Sequence, residues 1–570
     1  MADNPRKLVV ALLLFAVVAV YVRTATFDFV AWDDDVNIFL NKNYQPVTAA
    51  HVSNFWTGSF EHFYTPFTYT VWAALVAISP VTSDTTVPHP VVPSPFLFHL
   101  LNLFLHALST LLVFEVLLLC LRRFKDERSA IWPAAAGALL FALHPMQAEP
   151  VSWVSGMRDL LSGFFSLLAL HNYLTFADGE SGAKRPLYLT YLFYSLGLLT
   201  KPTTIMLPMV AAALDCLVLR RPWRKVARLC VPWLLFSAPY VLVTMYIQRH
   251  DVGISTPIPY RPLIMLDSFA FFLGKMIFPF SLICDYLRKP LVVMARGYAP
   301  FTAVFPLFLG FFVWRLRGEA RWIAGAGLAV FLLWILPTSG ILTYVSQNES
   351  TVFDRYIYLA LVGPALVLAW ALLRYPGRLA WGVTALLLVG CAARSFDQSR
   401  HWRNTVAVFQ HALEVDPKSF VGTRGLGLYY QNLGRDDLAR EYFTRAHETV
   451  PDDNWVNDHL SALSPEKIAV SRSLQLALEA IQRKEFDTAN GMLEGVLRQE
   501  PDNYEALVNR GTIFALRGNL DLAIQDFSHA IHADPKKHAA YENLAHAFRL
   551  KGTPDKAESV ERQERELASE

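Results

Sequence analysis

The feature that most constrains this chain is a succession of long apolar runs over its first ~400 residues. Runs of about 20 apolar residues imply membrane helices. Lys and Arg in short loops mark the inner side. On that basis about eleven spans are expected, at about 8–23, 96–121, 131–144, 160–177, 187–200, 203–219, 229–247, 299–314, 322–337, 356–373 and 379–394. RRFKDER and RRPWRKVAR then fall inside, and the net-acidic segment at about 24–95 falls outside. The apolar stretch 268–286 reads as a re-entrant or interfacial helix, because a further span there would put WRLRGEAR outside. PFTYTVWAALVAIS reads as a helix lying on the outer surface. Arg6 and Lys7 before the first run suit a retained signal anchor. This topology leaves the C-terminus outside.

The last ~170 residues are charged and organised differently. Pro417 to Pro451 is 34 residues, as is Pro501 to Pro535. Within these units Gly427, Tyr430, Gly434, Ala439, Phe443 and Ala446 answer to Gly511, Phe514, Gly518, Ala523, Phe527 and Ala530. Period and residue types together are those of the tetratricopeptide repeat, a helix-turn-helix unit of about 34 residues. Small residues let the two helices cross closely, large ones fill the seam, and proline ends the second helix. A weaker copy occupies 470–500, a half unit carries Phe409 and Ala412, and a charged last helix, ERQERELA, caps the array. The expected fold is therefore all-α. A polytopic membrane domain over 1–398, with a first outer loop at 24–95, precedes an α-solenoid over 399–570 of about four repeats and a half.

Composition agrees and excludes other classes. Only 18% of residues are charged, against about 25% in ordinary soluble proteins. A net charge of +2 points to no nucleic-acid partner. The five cysteines lie in or beside apolar stretches, with neither metal-ligand spacing nor a disulfide framework.

Charges in or beside spans are costly, so each is a functional candidate. Asp33, Asp34, Glu61, His144, Glu149, Arg158, Asp159, Lys201, Arg261, Asp354 and Arg355 come from different loops but share one expected depth on the outer face.

The segments WDDDVNIFLN, YTPFTYTVW, FHLLNLFLHA, HPMQAEPVSWVSGMRDLLSGFFSLLAL, LGLLTKPTTIMLP and FDRYIYLALVG, followed by HWRNTVAVFQHALEVDP and repeats, resemble the TMTC family in order and over nearly the whole chain. These are transmembrane and tetratricopeptide-repeat proteins of the GT-C glycosyltransferase class, similar to protein O-mannosyltransferases. The chain departs from the pattern at Met157, at Asp354 where Glu is usual, and in its short array, which resembles bacterial members. The resemblance implies a polyprenyl-phosphate-linked sugar donor and a hydroxyl acceptor on an extracytoplasmic protein, with inversion at the anomeric carbon. It places a catalytic base at Asp33 or Asp34, Asp34 slightly ahead, with Asp35 a bystander. Arg158, Lys201 and Arg355 become the donor-phosphate set, since a departing phosphate needs cationic donors. His144, Glu149, Tyr64, Arg261 and Tyr356 become pocket candidates. Trp32 is expected at the headgroup boundary. No metal is assigned; a divalent ion is possible but not expected. The implied location is a bacterial inner membrane with periplasmic repeats, or an endoplasmic reticulum membrane with luminal repeats in a eukaryote.

Two other readings use the same residues. A membrane-anchored assembly adaptor would use the repeats as its working part and tolerate neutral substitution of the outer-face charges. A lipid-linked-glycan transporter or polymerase would need no protein-binding array.

Overall fold

The computed structural model describes the chain except residues 1–4, 61–62, 83–91, 180–183, 249–255, 343–346, 348 and 570. Glu61 thus lies outside the described residues. The chain is all-α apart from a two-residue β-ladder pairing Val81–Thr82 with Val92–Pro93. It divides into two compact units, Met1–Val450 and Pro451–Glu570.

In the first unit each expected span falls on a helix: Pro5–Tyr21, Phe96–Leu121, Glu127–Leu143, Met157–Asp178, Arg185–Leu198, Leu207–Leu217, Trp223–Gln248, Ala299–Arg315, Gly318–Ile335, Val362–Arg374 and Arg378–Ser399. Among the described residues six helices are long and apolar enough to cross a membrane, and a pair bent by 52°, Glu127–Leu143 with Pro145–Ser152, makes up to seven. The others are shorter. Their close packing follows from small residues. A Cβ on Gly363 would lie 2.1 Å from the Gly327 carbonyl oxygen, so Gly318–Ile335 and Val362–Arg374 touch backbone to backbone there. The stretch expected to be re-entrant forms a helix, Arg261–Ile277, that stops before an irregular segment. The helix Pro66–Ile78, expected to lie on the outer surface, buries Tyr69 and Trp72 on one face and leaves Ile78 exposed at its end. Its Phe67 amide donates to the Leu199 carbonyl at 3.2 Å.

The helix pair Phe420–Asn432 and Asp436–Thr449 belongs to this first unit. The second unit contains Pro465–Gln482 with Phe486–Gln499, Tyr504–Leu516 with Leu520–Ala533, and His538–Leu550 with Pro554–Ser569. The repeat pattern has a direct cause. A Cβ on Gly427 would meet Phe443 at 2.7 Å, and one on Gly511 would meet Phe527 at 2.7 Å. In each pair the phenyl ring occupies the space that glycine leaves open.

Candidate functional site

The first outer loop leaves the Pro5–Tyr21 helix through a short 3-10 turn, Val22–Thr26, and reaches Trp32-Asp33-Asp34 before the π-turn Asp35–Phe39. The loop is tied down from two sides. The Ala31 amide donates to the Thr405 hydroxyl at 2.9 Å, and the Asp28 amide to the Arg403 carbonyl at 2.9 Å. Trp32 packs its ring edge-on to Phe409, centroids 6.1 Å apart. The indole expected at the headgroup boundary thus has a protein partner.

The two candidate carboxylates have different surroundings. Asp34 is 0% exposed. One of its oxygens accepts from the Ser155 amide at 2.9 Å and the Ser155 hydroxyl at 2.6 Å; the other accepts from the Val30 amide at 2.9 Å. Burial pushes its carboxyl up to about 7, against the pull of those hydrogen bonds. Asp33 has a side chain 45% exposed and faces a cavity of about 450 Å³, with Arg158 Nη2 at 3.9 Å. Asp34 does not line that cavity.

Four separate segments supply the cavity's cations. Arg158 begins the helix Met157–Asp178 and stands over Trp72 and Phe63, 5.5 and 5.7 Å from the ring centres. Lys201 follows the helix Arg185–Leu198, pairs with Asp159 and lies 5.4 Å from the Tyr356 ring centre. Arg355, in the 3-10 turn Asp354–Ile357, bonds Glu149 at 2.5 Å and stacks 4.0 Å from the Phe353 ring centre. Arg424 enters from the helix Phe420–Asn432, with Glu349 at 3.7 Å. Burial lowers the basicity of Lys201; Asp159 opposes this, while Arg355 and Arg158 reinforce it. Several cations thus crowd one half-buried space, the electrostatic setting of an anion site. Next to it Asp354 is buried, accepts from the Tyr286 hydroxyl at 2.7 Å, and is pushed up to about 8 by burial and by the charge of Glu149.

Of the residues expected from sequence, the structure brings Asp33, Arg158, Lys201, Arg355 and Tyr356 onto one cavity wall. Glu149 sits behind it, 1% exposed, holding Arg355 through both the guanidinium and the backbone amide. His144, Tyr64 and Arg261 stand off the wall. The His144 ring is buried against the Met276 carbonyl at 3.0 Å, the Tyr64 hydroxyl donates to the Trp56 carbonyl at 3.2 Å, and Arg261 donates to the Thr256 carbonyl at 3.0 Å. Each is taken up by a backbone carbonyl. Sequence reasoning missed Ser155, which lies inside the quoted HPMQAEPVSWVSGMRD segment, and Arg424, which carries no signal because it sits in a repeat helix.

The fold and the site define a polytopic helical membrane protein with a tetratricopeptide array and a charged cavity bordered by its first long loop. A model described as Tetratricopeptide repeat matches residues 474–538. The chain is similar to TMTC proteins. It is similar to the human protein O-mannosyl-transferase TMTC3, 23% identical over 403 residues, covering 63% of this chain and 43% of the relative. It is also similar to the Drosophila melanogaster protein O-mannosyl-transferase Tmtc2, 34% identical over 126 residues, covering 21% of this chain and 13% of that one. The chain thus spans less than half the length of these relatives. A solved structure, the crystal structure of MamA protein, shares 18% identity over 29% of this chain and 81% of its own, at a TM-score of 0.16.

Proposed function

We propose that the chain is an integral-membrane glycosyltransferase that moves a hexose, mannose in the first instance, from a polyprenyl-phosphate donor to a hydroxyl of an extracytoplasmic protein. The observation that carries this reading is the meeting of the partly exposed Asp33 carboxylate with Arg158, Lys201 and Arg355 on one cavity. The names of the relatives support the reaction class.

The chemistry suits these residue types. Asp33 accepts the proton of the acceptor hydroxyl as its oxygen bonds the anomeric carbon from the face opposite the phosphate. The bond from that carbon to the phosphate oxygen breaks at the same time, and the electron pair leaves with the polyprenyl phosphate. Arg158, Lys201 and Arg355 hold the departing charge in a site where low dielectric strengthens the attraction. Asp34 acts through Asp33: its bonds to Ser155 and Val30 fix the turn that presents its neighbour. Glu149 likewise sets Arg355. We assign the transfer chemistry to 1–398 and acceptor docking to 399–570, on the outer side of the membrane.

The test is transfer from mannosyl polyprenyl phosphate to a Ser/Thr peptide by the purified full-length protein. Asp33→Asn is expected to lower kcat by about 10²–10⁴-fold with little change in donor KM. Undiminished transfer by this variant removes Asp33 as the base.

A further inference from the structure

The segment HWRNTVAVFQHALEVDP holds a second cluster, away from the charged cavity. His401 lies in the turn Arg400–Trp402 that ends the last long helix. His411 and Glu414 are on the next helix, Thr405–Val415, one turn apart on the same face. Asn404 caps that helix, accepting from the Ala407 amide at 2.9 Å. The rings of His401 and His411 stack with centroids 3.5 Å apart and planes 17° off parallel.

The polar atoms of His411 give the argument. Its Nε2 lies 3.1 Å from the carbonyl oxygen of Leu282, which can only accept, so that nitrogen carries a hydrogen. Gln398 donates to the same carbonyl at 2.9 Å and holds it in place. In the neutral ring the other nitrogen, Nδ1, then presents a lone pair, and it points at the Glu414 carboxylate 3.3 Å away. A lone pair facing a carboxylate at that distance needs a cation between them. A ring nitrogen fixed by a backbone carbonyl, with the other free to ligate, is the arrangement that orients metal-bound histidines.

We propose that His401, His411 and Glu414 bind a divalent transition-metal ion of the zinc class, with water at the fourth position. One ligand atom from each residue lies within 4.8 Å of the others. Around a tetrahedral zinc, ligand atoms are roughly 3.4 Å apart, so the site closes when the His401 ring turns out of its stack on His411 and aims a nitrogen into the gap between His411 Nδ1 and Glu414. Two imidazoles and one carboxylate suit zinc and exclude the all-oxygen cages of calcium and magnesium. The ion would clasp the end of the last long helix to the first helix of the repeat region, with Leu282 as the outer support.

The site is testable independently of any transfer activity. Full-length protein, purified in detergent without a histidine tag and stripped with chelator, is titrated with Co²⁺ as a spectroscopic probe. One Co²⁺ per chain is expected, displaced by Zn²⁺. Glu414→Gln, at a side chain 70% exposed and therefore harmless to folding, should weaken binding by at least the roughly 10–100-fold that loss of an outer-shell partner costs. His401→Ala should weaken it further. Absence of stoichiometric uptake, with a shared proton as the only cation between His411 and Glu414, overturns the proposal. Equal uptake by the wild type and both variants overturns it too.

Discussion

Asp34→Asn separates burial of charge from loss of a hydrogen bond. The folded carboxyl sits at about 7 instead of 3.8 because it has no exposed surface. Its folded pKa is raised, so the fold binds a proton that the unfolded chain has released. Stability is therefore greatest below about pH 4 and falls as pH rises to about 7. The whole effect is about 4 kcal/mol at pH 8 and under about 2 kcal/mol at pH 5. Asparagine has nearly the same shape and no charge. Its oxygen can still accept from the Ser155 amide and hydroxyl, but its amide nitrogen meets the Val30 amide donor. That mismatch costs about 1–3 kcal/mol at every pH. At pH 8 the variant is expected to be about 1–3 kcal/mol more stable than the wild type, and at pH 5 that advantage disappears. Denaturant unfolding of the detergent-solubilised chain, followed by tryptophan fluorescence at both pH values, reads the difference. Parallel pH profiles for the two proteins would refute the argument, because the variant would then have removed no desolvated charge. Activity is expected to fall less than in Asp33→Asn, since in the proposed reaction Asp34 acts by holding the turn.

Two further substitutions test the supporting structure. Glu149→Gln leaves the Arg355 guanidinium, 12% exposed, without its counter-charge and should destabilise the chain by about 3–5 kcal/mol; a melting temperature within error of wild type would show that the pair is not what holds Arg355. In the second unit, Gly518 and Gly552 take φ near +79° at the repeat turn, whereas Lys484 occupies the equivalent turn at +62°. Lys484→Gly should relieve about 1 kcal/mol of left-handed strain, offset in part by the entropy of a freer unfolded chain, and raise the midpoint of array unfolding. A lowered midpoint would mean that the lysine side chain contributes more than its backbone costs.

Much of the fold was legible because its determinants are local. An apolar run long enough for a bilayer is visible in one dimension, and Gly427 with Phe443 recurs as Gly511 with Phe527 because one steric fit is reused. The site was legible only in part. Sequence pattern put Asp33, Arg158, Lys201 and Arg355 at one depth, since charge near a span marks the interface. It put Asp34 slightly ahead of Asp33, blind to the Ser155 hydroxyl that reaches Asp34 from 121 residues away and helps bury it. Nor could it distinguish a wall residue from one behind the wall: His144 and Glu149 are both buried polar residues from one motif, yet only Glu149 meets a cavity cation.

The division of labour suggested by the sequence also meets a physical constraint. Helices up to Val450 are compact with the membrane-spanning part, although the repeat pattern begins earlier. The loop bearing Asp33 is held between two supports, Ser155 on one side and Arg403, Thr405 and Phe409 on the other. Neither support alone defines where Asp33 stands: the Ser155 bonds fix Asp34, and the Thr405 bond and Phe409 ring fix the two residues before Asp33. Arg424 reaches the same cavity from the first full repeat helix. A displacement of that repeat would therefore move a cavity wall and one anchor of the carboxylate together. In the proposed reaction, acceptor docking on the first repeat and alignment of the base are coupled through the rigid packing of these aromatic and hydrogen-bonded contacts, not through a flexible linker.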